Sequence, residues 1–369
     1  MKFSCYKSDL VEALSFVSRA AAVKPMTPVL SGVFIRTEGS AGVELQANNN
    51  STAIAAKIPV NVEVPGATVV SAKRFLDFAR NMPDDTITLT LEDNTLALES
   101  GGAHVDLLTM NPDDFPKIQA EEMPNTFKIK VPVLAELIRR TVYAVSDDKS
   151  RPVFTGVNFI FRGEDVTAVA TNTHRLALAK DKLAEDCGNI FEFVIRDNTL
   201  RDLSARLDSK DAEEIVTINY NGKSAAFTFN NVFVTTRIID GQFPPYDRVI
   251  PKESVLRVKV NTAELKEAVR FVSGMSKETE YNTIKFDIAR DGIDVSANSP
   301  EVGGASKPVE ADVDGDNLII NFNVDYISDV LKVVTDEKLL LEFNDQYSPV
   351  KITEPGNDNF IYIATPVRT

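Results

Sequence analysis

One pattern occurs three times in this chain: a short alternating strand that runs directly into an amphipathic helix. Lys2-Phe3-Ser4-Cys5-Tyr6 leads into residues 9–21, Phe127-Lys128-Ile129-Lys130-Val131 into 132–142, and Leu256-Arg257-Val258-Lys259-Val260 into 261–273. Leu10, Leu14 and Val17 fall on one helical face, as do Leu134, Leu137, Ile138 and Thr141, and then Leu265, Val269 and Val272. Asp9 suits an N-cap, Pro132 a first helical turn, and Asn261 or Thr262 the third cap. A fold built on this pattern is used three times over, at a spacing of roughly 120 residues.

Each copy holds a second helix, at 71–79, 197–203 and 323–331, followed by two strands. Those strands are 86–91 with 95–99, 215–220 with 224–229, and 339–343 with 350–353. Polar, Pro-containing stretches at 120–125 and 251–254 suit linkers. The expected domains are therefore 1–120, 126–252 and 255–369. The most informative copy runs from Arg151 to Lys180. Pro152 opens it; Val153, Val157, Phe159 and Phe161 alternate as one buried strand face; Gly163-Glu164-Asp165 turns the chain into a second strand. The same plan recurs at 28–37 followed by Val43-Glu44-Leu45-Gln46-Ala47-Asn48-Asn49-Asn50, and more weakly at 284–298.

The chain carries a net charge of −14, which argues against a uniformly basic nucleic-acid binder but leaves room for one less acidic face. The six helical segments together carry +2, so the remainder carries −16. This split fits helices turned toward a polyanion, and it equally fits solvated helix faces with internal ion pairs. Cys5 and Cys187 are too far apart in sequence for a metal-site spacing and suit free thiols in a reducing compartment. The N-terminal segment has no apolar signal core and no run is long enough to span a bilayer, so a cytoplasmic protein with no membrane partner is expected. Paired carboxylates would allow a hydrolase, yet no phosphate loop, HExxH, CxxC or GxSxG string is present. A protein acting mainly as an interaction scaffold is a further alternative.

The string Ala170-Thr171-Asn172-Thr173-His174-Arg175-Leu176-Ala177 resembles the A-T-D-G-H-R-L-A signature of the bacterial sliding clamp, the β subunit of DNA polymerase III. Asp240-Gly241-Gln242-Phe243-Pro244-Pro245-Tyr246 is similar to the family's D-G-x-F-P-x-Y segment. Pro65-Gly66-Ala67-Thr68, Asp114-Phe115-Pro116 and the terminal Thr365-Pro366-Val367-Arg368-Thr369 match in register. The resemblance covers the whole chain. It implies an α+β fold of three repeated clamp domains, each with two helices and antiparallel sheet, closed into a ring as a head-to-tail homodimer. It implies a processivity factor that encircles double-stranded DNA without reading sequence, with no catalytic residue, cofactor or metal of its own.

The resemblance also implies sites. The replicative polymerase, the clamp loader and repair proteins would insert a short peptide, carrying a Gln and apolar anchors, into a cleft between the second and third domains. From the Arg151 stretch that cleft takes Phe154, Thr171, Thr173, His174, Arg175 and Leu176. Pro244, Arg248 and Val249 come from the linker side. Tyr347, Ile363, Pro366, Val367 and Arg368 come from the third domain. His174 reads as a structural histidine, with no Ser or Asp beside it in a nucleophile pattern. Thr173 stands where the family often has Gly, and Thr369 where an apolar residue is usual. DNA phosphates would meet Lys24, Lys73, Arg74, Lys149, Arg151, Arg196 and Arg201. The dimer would pair an edge strand holding Val105 and Leu107 with a helix end at Gly274 and Met275.

Overall fold

The computed structural model describes residues 1–369 except 117, 119–121, 208–211, 278–281 and 369. The expected boundary residue Ala120 and the terminal Thr369 therefore lie outside the described residues. Six helices are present among those described: α1 (Lys7–Val17), α2 (Ala72–Asn81), α3 (Val131–Thr141), α4 (Asp197–Ser204), α5 (Thr262–Ser276) and α6 (Val324–Val333). No helix of the described residues is long and apolar enough to cross a membrane.

The apolar stripes explain the helices. Leu10, Leu14 and Val17 on α1, Leu134, Leu137 and Ile138 on α3, and Leu265, Val269 and Val272 on α5 are all buried. Each such Leu or Val adds about 1.5–3 kcal/mol relative to an exposed position. The caps differ in part from the sequence expectation. Asn261 caps α5 as expected, its Oδ1 accepting from the N–H groups of Ala263 and Glu264. Asn323 does the same for α6 through Asp325 N–H. Asp9 is not a cap: α1 begins two residues earlier, with Tyr6 at the N-cap, so Asp9 sits in the first turn and favours the helix dipole instead. Val153 is likewise not in the strand; Pro152–Thr155 forms a 3-10 turn and the strand is Gly156–Arg162.

The chain divides into two compact units, Met1–Pro132 with Arg201–Ile238, and Val133–Leu200 with Ile239–Thr369, so the middle repeat contributes to both. The first unit holds a 13-stranded antiparallel sheet. It runs from Asn125–Lys130 through Ile215–Tyr220, Ser224–Phe229 and Val232–Arg237 to Thr52–Pro59. It continues through Gly42–Asn48, Gly32–Glu38, Ala67–Ser71, Ala103–Met110, Thr95–Ser100, Thr86–Glu92 and Lys2–Tyr6 to Asn61–Val64. In it, Val232–Thr236 pairs antiparallel with Thr52–Ala56, joining the second repeat to the first.

The second unit holds a 12-stranded sheet: Ile190–Arg196, Gly156–Arg162, Asp165–Thr171, Arg175–Lys182, then Asn357–Ala364, Val350–Glu354, Lys338–Phe343, Leu256–Asn261, Gly303–Asp314, Gly292–Ser299, Thr283–Ala289 and Leu318–Asn323. There Arg175–Ala179 pairs with Phe360–Ala364, joining the second repeat to the third. In the first unit α1 packs on α2, and Arg80 donates to Ser15 Oγ across the pair; in the second, α5 packs on α6.

Candidate functional site

The turn between Asp165–Thr171 and Arg175–Lys182 is built by side chains that copy a backbone turn. Asn172 Oδ1 accepts from His174 N–H and Arg175 N–H, both at 3.0 Å, and Asn172 N–H reaches Arg175 O at 3.3 Å. Thr171 Oγ1 donates to Arg175 O at 2.7 Å and accepts from Thr173 N–H. Thr173 has φ +77°. A β-branched residue in this left-handed region is strained by about 1–2 kcal/mol. Thr173→Gly is accordingly expected to raise the free energy of unfolding by about 0.5–1 kcal/mol after the extra chain entropy of Gly is subtracted. Urea titration checks this, and an unchanged or lower midpoint would contradict the strain.

Behind the turn, Leu176 and Ile363 are register partners and share one buried cluster with Val169, Leu178, Val194, Ile239 and Phe243. Phe154 packs against this cluster and meets Phe243 edge to face at 6.1 Å. The segment after the last strand is tied to the turn: Thr365 N–H donates to His174 O at 2.8 Å and Thr365 Oγ1 to the same oxygen at 3.0 Å. Val367 N–H donates to Asn321 O at 2.8 Å. Leu176, Ile363 and Phe154 thus form one apolar floor behind the Thr171–Arg175 turn, and Thr365, just before Pro366 and Val367, is tied to that turn. Pro244 is exposed beside Phe243, and Arg248 and Arg368 are also exposed. Val249 and Tyr347 leave 52% and 62% of their surface in solvent.

Arg175 faces inward. Its guanidinium donates to Asp329 Oδ2 at 2.6 Å and to Tyr143 O at 2.5 Å, and lies 4.8 Å from the Tyr326 ring centre. His174 stacks on the same tyrosine. Burial pushes the phenols of Tyr143 and Tyr362 up, so both stay neutral at any ordinary pH. Arg175 therefore fixes the turn to α6, and its contribution to the site is placement. Among the described residues no group of three or more His, Cys, Asp or Glu side chains could hold a metal.

The basic positions fall in both units. Lys24 occupies a left-handed loop position at φ +52°, and Lys73 and Arg74 are exposed on α2, as is Arg201 on α4. In the second unit Lys149 and Arg196 line one cleft of about 400 Å3 with Asp197 and Asn198. Arg151 pairs with Asp148 at 3.1 Å and covers the Phe154 ring at 5.4 Å. Several other helix cations are already engaged: Arg19 with Asp202, Arg206 with Glu12, Arg139 and Arg140 with Glu136, and Lys332 with Asp329. The helical charge count alone overstates what is available to a polyanion.

Besides the terminal strands of the two sheets, Ala103–Met110 and Gly303–Asp314 each leave a long stretch of one edge unpaired among the described residues. Ala103–Met110 pairs with Thr95–Ser100 on one side, but on the other only Thr109 and Met110 pair, with Val70 and Val69. Gly303–Asp314 pairs along one side over 303–310 and reaches Leu256–Asn261 only through 311–314. On the first edge Leu107 is buried and Val105 half-buried, whereas Leu108 is 78% exposed. Sequence reading missed Leu108, because two adjacent leucines give alternation no preferred parity. Gly274 is exposed and Met275 half-buried on α5; Glu267 of that helix bonds Lys307 of the second edge at 2.6 Å.

Three antiparallel α+β repeats, each with two helices and joined to the next by sheet pairing, define a clamp-type architecture. Family models for the DNA polymerase III beta subunit match over the chain: the N-terminal domain at 1–119, the central domain at 128–245 and the C-terminal domain at 247–368. The chain belongs to the DNA polymerase III beta subunit family and has its three clamp domains. The beta sliding clamp of Bacillus subtilis (strain 168) is 31% identical over 380 residues, covering 100% of both chains. The crystal structure of the DNA polymerase sliding clamp from Bacillus subtilis superposes with a TM-score of 0.93 at 30% identity, covering 100% of this chain and 99% of that one. A sliding clamp from Pseudomonas aeruginosa, bound to griselimycin, gives 0.93 at 26% identity and full coverage of both chains.

Proposed function

We infer that this protein is a DNA sliding clamp: it encircles duplex DNA and tethers the replicative polymerase and other partners, and does no chemistry itself. Membership of the beta subunit family along the whole chain carries this reading. Two copies pair head to tail through the open edges 103–108 and 303–310, with Val105, Leu107, Gly274 and Met275 beside them, and close a ring. The domains of each copy are 1–120, 126–252 and 255–369. Lys24, Lys73, Arg74, Lys149, Arg151, Arg196 and Arg201 give a diffuse attraction to phosphate, weak enough at each point to permit sliding. The floor of Leu176, Ile363 and Phe154 accepts the apolar anchors of a partner peptide, with Pro244, Arg248, Val249, Tyr347, Pro366, Val367 and Arg368 around it. The polymerase, the clamp loader and repair proteins are the partners, and the protein works in the cytoplasm.

Retention on DNA tests the ring. Protein loaded onto nicked circular DNA by a compatible loader is expected to co-elute with circles on a sizing column and to be lost once the circle is linearised. Equal behaviour of demonstrably loaded protein on both forms would rule out topological holding.

A further inference from the structure

We propose that the border of the first and second repeats carries a second ligand groove, which takes an extended polar peptide segment by binding its carboxylate at Arg237. The groove lies wholly within the first unit. It goes beyond the peptide cleft described above, and uses the reading of that cleft only as its template.

The two borders are built alike. Asn49 Oδ1 accepts from Ser51 N–H at 3.0 Å and Thr52 N–H at 2.9 Å, as Asn172 does from His174 and Arg175. Asn50 has φ +69° where Thr173 has +77°. Arg237 N–H donates to Ser51 O at 3.0 Å, as Thr365 N–H does to His174 O. Ala53 pairs with Thr235 in the sheet where Leu176 pairs with Ile363. The backbone scaffold that presents a groove is therefore present twice.

The side chains on it differ in kind. Leu176 becomes Ala53 and Ile363 becomes Thr235, so the apolar floor is replaced by a small methyl and a hydroxyl. A cavity of about 230 Å3 opens there, walled mainly by polar residues, among them Asn50, Ser51, Ser224, Thr235 and Arg237, with Ala53 and a single bulky apolar side chain, Ile118. That volume is below the range of cofactor or drug-sized sites and suits a few side chains of an extended segment. Its amides and hydroxyls can meet peptide groups but offer little to a Leu or Phe anchor. Among the described residues no Asp or Glu lines the cavity and no carboxylate pairs with Arg237. In a chain of net charge −14 this is a local cationic point, and a guanidinium binds carboxylate in a two-pronged, charge-assisted manner.

The test uses the full-length protein with methyl-labelled Ala, Thr, Leu and Ile, titrated with acetyl-Ser-Glu-Ser-Asn-amide and with its Gln counterpart. Saturable shifts at Ala53 and Thr235 are expected with the Glu peptide, weakened about tenfold by the Gln replacement and by Arg237→Gln. Unmoved methyl positions in the ligand-free Arg237→Gln protein show that the fold is kept. Three results would overturn the groove: no saturation by about 10 mM peptide, equal binding to the Arg237→Gln protein, or acetate alone matching the Glu peptide in affinity. A second peptide with Gln and two apolar anchors is titrated alongside. If it fails to move Leu176 and Ile363, the cleft reading falls, whatever Ala53 and Thr235 report.

Discussion

Arg140→Ala is expected to lower the free energy of unfolding by about 3 kcal/mol, measured by urea titration. Arg140 on α3 donates to Glu354 Oε2 at 2.6 Å, and the Glu354 side chain is fully removed from solvent. Glu354 also accepts from the N–H groups of Thr335 and Asp336 and from Asn357 Nδ2. Without Arg140 the carboxylate remains buried with its backbone donors but no countercharge, and the Phe360 ring loses the guanidinium 4.8 Å above it. A pH dependence follows. Burial pushes the Glu354 carboxyl up, but the Thr335 N–H and Arg140 outweigh it and hold the group below the usual carboxylate range. A depressed carboxylate stabilises the fold above its unfolded value, and that contribution is lost as pH falls through its folded value. The gap between wild type and Arg140→Ala should therefore be widest near neutral pH and shrink in acid, as pH falls through the depressed folded value of Glu354. A gap that is constant or grows in acid would show that the ion pair is not its source.

Leu108→Lys is expected to weaken the homodimer by a factor of about 100–1,000, read by sedimentation equilibrium. Leu108 lies exposed on the strand edge through which the two copies are proposed to pair, and an apolar contact there would be worth about 1.5–2 kcal/mol when lost. In a two-fold ring the contact occurs twice, so the loss doubles. Leu98→Ala is the control. Its side chain is buried in the neighbouring strand of the same sheet, so it should cost folding stability, with the dimer constant changing far less. A Leu108→Lys protein that dimerises like wild type would remove this edge from the interface.

These two predictions mark where sequence stops being legible. The stripe Leu134, Leu137, Ile138 and Thr141 announces α3 because helical spacing is local, and the strands 215–220 and 224–229 end where their turn residues say they should. The Thr171–Leu176 turn is visible for the same reason: its hydrogen bonds span two to four residues. The Arg140–Glu354 pair joins positions 214 residues apart, and no local pattern records such a partner. Leu107 and Leu108 fail differently. A one-residue change of register exchanges the two faces of a strand, and two equal side chains in succession hide which parity holds. The pairing of Val232–Thr236 with Thr52–Ala56 is also invisible, because each strand reads as complete in its own repeat.

That pairing has a mechanical consequence. A rotation at the border of the first two repeats would have to shear the rungs between Thr52–Ala56 and Val232–Thr236, and one at the border of the last two those between Arg175–Ala179 and Phe360–Ala364. Both borders are therefore stiff seams and poor hinges. In the ring proposed here, a loader that prises the circle apart meets least resistance where no covalent chain and no intramolecular ladder crosses, at the open edges 103–108 and 303–310. The latch is thus the softest part of the ring, and each seam holds together the two repeats it joins while the latch is undone.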